Sequence, residues 1–266
     1  MTSWQKAIKY IAIAFAICLI VSIIGGIMSA VGLIGGFIES DATADNVKTY
    51  TVSQDITQLE IDINAADFTI TVGDEFAVES NLKDLTVKDT GGTLTVIENK
   101  RWGRDYNNAV LTLYIPSDFV FEKAEIETGA GRVTVDTLSA DKLSLELGAG
   151  EAKITELNAT NQAEIDGGAG KITINGGTLT NLDFDMGVGE LNLTSVISGK
   201  SELDCGVGEA NITLKGTADD YQIHTSKGIG AVTVDGQSVI SDSAYGSGEN
   251  KIELTCGIGA VNVRFE

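Results

Sequence analysis

Glu127-Thr-Gly-Ala-Gly-Arg-Val-Thr-Val135 sets a Gly-x-Gly triplet with a small apolar centre before a strand-like alternation, and the device recurs down the chain. Triplets occupy Gly129/Gly131, Gly148/Gly150, Gly168/Gly170, Gly187/Gly189, Gly206/Gly208, Gly228/Gly230 and Gly257/Gly259, at steps of 19, 20, 19, 19, 22 and 29 residues. A repeat of such constancy makes each unit a structural module that must bury its apolar face against its neighbours. The longest step, where Gly246-Ser-Gly248 sits, is read as holding either an insertion or one degenerate turn.

Aligned on the triplet, the repeats show fixed columns. Three residues before it stand Ile126, Leu145, Ile165, Phe184, Leu203, Thr225 and Leu254, and the triplet centres (Ala130, Ala149, Ala169, Val188, Val207, Ile229, Ile258) are expected to face the same way. Four and six residues after the first glycine come apolar pairs such as Val133/Val135, Ile172/Ile174 and Leu191/Leu193. The later columns are offset by an odd number from the earlier ones. Because side chains alternate along a strand, a flat strand would turn its apolar face outward at the glycines, so the chain must bend there in every repeat. Glycine supplies the backbone freedom. The expected fold is all-β: a parallel β-solenoid whose seven coils, stacked about 4.8 Å apart in chain order, make a rod about 34 Å long. An antiparallel meander with hairpin corners is the alternative. Residues 48–128, with alternations such as Leu59-Glu-Ile61-Asp-Ile63, are expected to form irregular first coils and a cap, with 129–266 the regular part.

The N-terminal segment has a different composition. After Lys6 and Lys9 no charge occurs until Glu39, and most residues are Ile, Ala, Val, Leu, Phe or Gly. Residues 7–38 exceed the roughly 20 that cross a bilayer as a helix. The expected topology is a single-pass anchor in the cell membrane, with 1–6 cytoplasmic, 39–47 a linker and the β part outside the cytoplasm. A cleaved signal peptide is the alternative, although Met28 fits poorly at its −3 position.

With these residues in view the chain resembles the bacterial putative-adhesin family of β-strand-repeat proteins. The resemblance spans roughly 48–266 and rests on LTLYIPSDF (111–119), ETGAGRVTV (127–135) and the recurring GAGEAKITEL and CGVGEANITL types. It implies a right-handed β-helix-like fold, a cell-surface location, an N-terminal membrane anchor and no established enzymatic activity. Some relatives belong to envelope-stress signalling systems, which makes a regulatory membrane protein that contacts another membrane protein the second functional reading.

Acidic residues outnumber basic ones 38 to 18, a formal charge of −20, which excludes nucleic acid as a partner because phosphate binding needs clustered Lys and Arg. Two residues before the triplets stand Glu127, Glu146, Asp166, Asp185 and Asp204, and four before stand Glu125, Glu164, Asp183, Glu202 and Glu253. Stacked in register, they form ladders of carboxylates about 5 Å apart, each pair repelling by about 0.8 kcal/mol in bulk water. Such a face suits a cation, a cationic peptide or a surface ligand, or it is simply solvated. The one basic and aromatic cluster, Arg101, Trp102, Arg104 and Tyr106, reads as an exposed contact loop.

No catalytic residues, cofactor or metal site are expected. His224 is the only histidine, no Gly-x-Ser-x-Gly elbow occurs, and no helix follows the Gly-x-Gly triplets, so dinucleotide binding is excluded. Calcium β-roll repeats are absent, and at most weak divalent binding is expected. Cys205 and Cys256 both precede a triplet, with Lys227 in the same place between them. One intervening coil would hold the sulfurs about 9–10 Å apart, beyond disulfide reach, and free buried thiols are expected.

Overall fold

The computed structural model describes residues 47–99, 106, 108–240 and 243–266. The anchor expected over 7–38, Cys18, and the loop residues Arg101, Trp102 and Arg104 lie outside the described residues. Among the described residues, no helix is long and apolar enough to cross a membrane.

The strands, in chain order, are β1 (Lys48–Thr51), β2 (Gln58–Gly73), β3 (Ala77–Ser80), β4 (Leu85–Thr90), β5 (Thr93–Glu98), β6 (Val110–Pro116), β7 (Phe121–Ile174), β8 (Thr178–Thr180), β9 (Leu182–Ser198), β10 (Lys200–Leu214), β11 (Tyr221–Val234), β12 (Gln237–Ser238), β13 (Ser243–Gly246) and β14 (Asn250–Phe265). A 3₁₀ turn at Ala218–Asp220 precedes β11. β7 runs through three triplets and folds back on itself, so that Gly148 stacks on Gly129 and Gly168 on Gly148. From β7 onward the rungs pair in parallel and in register: Gly170 with Gly189, Gly189 with Gly208, Gly208 with Gly259, and Gly259 with Gly230.

That last sequence departs from chain order. β14 lies between β10 and β11, so the seventh triplet is the neighbour of the fifth and the sixth is outermost. The same exchange occurs at the other end. β2 pairs with β7 on one side and, on the other, with a split rung made of β5 (Gln58 with Thr93) and β6 (Phe68 with Leu111). Among the described residues nine rungs stack, namely β5/β6, β2, three within β7, β9, β10, β14 and β11, the first two falling in the stretch expected to form irregular first coils. Antiparallel strands close both ends. β4 covers β5, and β3 with β1 covers β6; at the far end β13 and β12 cover β11. Such covers remove the open strand edge that would pair with another chain. Gly246-Ser-Gly248 therefore marks the end of a hairpin strand on β11 and not a degenerate turn.

Each rung turns its apolar columns inward. Ile126, Ile165, Phe184 and Leu203 before the corner, and Val133, Ile172, Leu191 and Ala210 after it, are buried. A third, shorter side contributes Leu138, Leu157, Leu179 and Ile197. Fully burying such a side chain contributes about 1.5–3 kcal/mol. The parity change falls at the second glycine. Gly131, Gly150, Gly170, Gly189, Gly208 and Gly259 hold φ between +126° and +151°, which side chains with a Cβ rarely adopt. Space forbids a side chain as well, since a Cβ on Gly208 would be driven into the carbonyl oxygen of Gly189. The bend swings the triplet centres to the rim of the corner. Ala130, Ala149, Ala169, Val188, Val207 and Ile258 are half-buried and Ile229 is 47% exposed, so this column does not share the interior with Ile126 and its equivalents.

Candidate functional site

The first side of each rung, before the corner, presents its outward residues as the two acidic columns. Along the stack, Asp62 neighbours Glu127, Asp166 neighbours Asp185, and Asp185 neighbours Asp204. In the parallel column Glu60 neighbours Glu125, Glu164 neighbours Asp183, Asp183 neighbours Glu202, and Glu202 neighbours Glu253. Glu125, Glu127, Glu146, Glu164, Asp183, Asp185, Glu202 and Glu253 are exposed, while Asp166 and Asp204 are half-buried. His224 closes the second column beside Glu253.

Lys123 bridges Glu125 within one rung at 2.5 Å. The crowding shows in proton affinity. Burial, then Asp204, Asp166 and Asp183, hold the Asp185 carboxyl above its ordinary range. Asp204, followed by burial and by Asp183, Glu253 and Asp185, does the same for Glu202. Lys200 and Lys251 border the face beside an open hollow that also includes Asn181 and Glu253. Among the described residues, no group of three or more His, Cys, Asp and Glu side chains is arranged to hold a metal ion.

The outward face after the corner is built otherwise. Arg132 lies between Asp67 (3.6 Å) and Glu151 (3.8 Å), and Lys171 meets Glu190 at 2.9 Å. Beside these ion pairs runs an amide ladder that sequence reasoning missed: Asn262 Nδ2 donates to Asn211 Oδ1 (3.1 Å) and Asn211 Nδ2 to Asn192 Oδ1 (3.2 Å). Thr233 Oγ1 extends it by donating to Asn262 Oδ1 at 2.9 Å. The signal was available, because all three asparagines stand five residues after their first glycine.

Of the expected contact loop, Arg101, Trp102 and Arg104 lie outside the described residues. Tyr106, its one described member, is half-buried and packs against the core. Glu98, also unforeseen, is 1% exposed where the split rung leaves the stack, and its Oε2 accepts the Asn64 backbone N–H at 2.8 Å. Cys205 and Cys256, expected one coil apart, are register partners on adjacent rungs because β14 is inserted next to β10. Both are free thiols.

Stacked β-coils with glycine corners, two unlike outward faces and antiparallel end covers define a rigid β-repeat scaffold. The chain belongs to the Toastrack DUF4097 family, whose model matches residues 40–257, in keeping with the resemblance to bacterial putative-adhesin β-strand-repeat proteins. No curated protein matches the chain. Among solved structures, it is similar to a putative adhesin from Parabacteroides distasonis at 17% identity (82% of this chain, 96% of that one, TM-score 0.44). A putative cell adhesion protein from Clostridium sporogenes is also 17% identical (83% and 99%, TM-score 0.31). A putative lipid binding protein from P. distasonis is 14% identical (83% and 97%, TM-score 0.35).

Proposed function

We propose that the chain is a membrane-anchored, extracytoplasmic and non-enzymatic binding scaffold of the adhesin-like kind, and that its acidic face is where it meets a cationic partner. The observation that supports this is the run of like charges from Asp166 to Asp204 and from Glu164 to Glu253, stacked at rung spacing. The opposite arrangement is available to the same rungs, as the Asp67–Arg132–Glu151 series demonstrates. A face that keeps its repulsion gains most when a polycation covers it, since every added charge relieves several carboxylates at once.

The test uses the full-length chain in detergent and a fluorescent oligolysine peptide, with anisotropy read across a salt series. The expected result is binding that weakens as salt rises. The triple variant Asp185→Asn/Glu202→Gln/Asp204→Asn should lose about tenfold in affinity, about 1.4 kcal/mol. Glu151→Gln/Glu190→Gln/Glu209→Gln on the other face should lose little. Equal losses from the two variants would remove the acidic face from the reading. Location is tested separately: protease added to intact cells should digest the β domain, and its protection would refute the extracytoplasmic placement.

A further inference from the structure

We infer that Cys205 and Cys256 are a disulfide-forming pair that staples the out-of-order rung β14 to β10. The two side chains stand just before the triplet on the interior side of adjacent rungs and are direct register partners. Adjacent parallel strands lie about 4.8 Å apart, inside the Cα separations that a disulfide spans. Cys256 is 2% exposed and Cys205 is packed against the core, so each thiol has the other as its sulfur neighbour on the side where the rungs meet.

Position makes this pair more than an accident of core composition. From β7 to β10 every rung pairs with the one before it in the chain, at separations near 19 residues. The β10–β14 seam joins residues 51 apart, and the segment between them carries the whole far end of the stack: β11, β12 and β13. The β domain's two cysteines sit at this seam. A bond there closes a loop around the end cover and removes the chain entropy that otherwise opposes late insertion of β14.

The chemistry is a two-electron oxidation by an external disulfide, such as oxidised glutathione or the disulfide of a thiol oxidoreductase. One thiolate attacks the oxidant and releases its first thiol. The second thiolate then attacks the mixed disulfide, forming the Cys205–Cys256 bond and releasing the second sulfur; the two cysteine protons pass through solvent to the two departing thiolates, which leave as thiols. In the folded chain, burial pushes the Cys205 thiol up to about 12, with smaller contributions from Cys256, Asp204 and Asp185. Attack is therefore slow once the corner has closed, and the bond forms while β14 is docking.

The experiment refolds full-length chain carrying Cys18→Ser from denaturant into detergent in a reduced/oxidised glutathione buffer. The product is then quenched with an alkylating reagent in denaturant and weighed intact. The bridge predicts monomer two hydrogens lighter than reduced protein and without alkyl groups. It also predicts a melting temperature raised by roughly 5–15 °C, reversed by reductant after unfolding. The additional Cys205→Ala/Cys256→Ala pair should fold and show no redox-dependent melting. Alkylation of both thiols, one glutathione on each, or disulfide-linked dimers would each overturn the inference. The mass readout needs no substitution at the pair itself, so a poorly folding variant does not obscure the answer.

Discussion

Two outward faces share every rung of this molecule, and they handle charge in opposite ways. After the corner, signs alternate from rung to rung as far as Glu190 (Asp67, Arg132, Glu151, Lys171, Glu190), which then neighbours Glu209, and amides hand hydrogen bonds along the stack. Before the corner, carboxylate lies on carboxylate. Since both faces have the same spacing and the same solvent, stacking alone does not dictate repulsion. The first face keeps unfavourable neighbours that the second shows to be avoidable, which is the pattern expected where contact with something else outweighs stability.

The comparison can be broken at its hinge. Gly208→Ala places a Cβ against the Gly189 carbonyl oxygen at a backbone angle of +143°, and both faces should be lost together, at more than about 4 kcal/mol in denaturant unfolding. Breaking only the second face is milder. Asn211→Ala severs the ladder to Asn192 and Asn262 and should cost about 1–2 kcal/mol in the same measurement, whereas Asn211→Ser should recover part of it.

Acid sharpens the contrast, because the faces titrate with opposite sign. Asp185 and Glu202 have folded values above their unfolded ones, so ionisation opposes folding; stability is gained as pH falls from 7 through the raised values, complete below the unfolded value near 4. Glu190 is held low by the Asn192 amide first and then by Lys171, so its contribution is present above the unfolded value and is lost as pH falls through the lowered one. The melting temperature should therefore rise as pH falls through the raised values of Asp185 and Glu202 and turn down as it passes the lowered value of Glu190, and Asp185→Asn should flatten the rise. A monotonic fall from pH 7 would refute the account of the first face. The smallest effect belongs to Lys171→Ala. Its ion pair with Glu190 is nearly half exposed, and removal should cost about 0.5 kcal/mol and less in high salt.

Much of this was legible from periodicity. The columns three before and four and six after the first glycine are buried, and the acidic columns fall outward, because strand alternation and a fixed repeat leave little choice. Chain order misled because nothing in a period says which coil touches which. Like-on-like stacking carried the missing information. Cys205 matches Cys256 and Asn211 matches Asn262, while the intervening repeat offers Lys227 and Thr233. The β2 rung, expected only as an irregular first coil, lacks the repeat signature for another reason: its corner is Asn64-Ala-Ala66, without glycine. Each corner glycine lacks a Cβ that would point at the preceding rung's carbonyl, as Gly131 does toward Ala66. For Ala66 the preceding rung is the split β5/β6, whose register partners end at Asp62 and resume at Asp67, so Ala66 falls in the gap between them. Tyr106 and Glu98 were opaque because burial of a polar or aromatic side chain beside such an excursion leaves no periodic trace.

The interleaving of β14 also sets a timetable. During synthesis 221–234 emerges before 250–265, yet it can lean only on what comes later, so the flank of β10 stands vacant for the 51 residues that separate it from its partner in β14. At translation rates of about 5–20 residues per second that interval is roughly 2.5–10 s. In that time the nascent chain offers a ready-made template to any passing strand, and the molecule's most exposed moment comes late in its own manufacture.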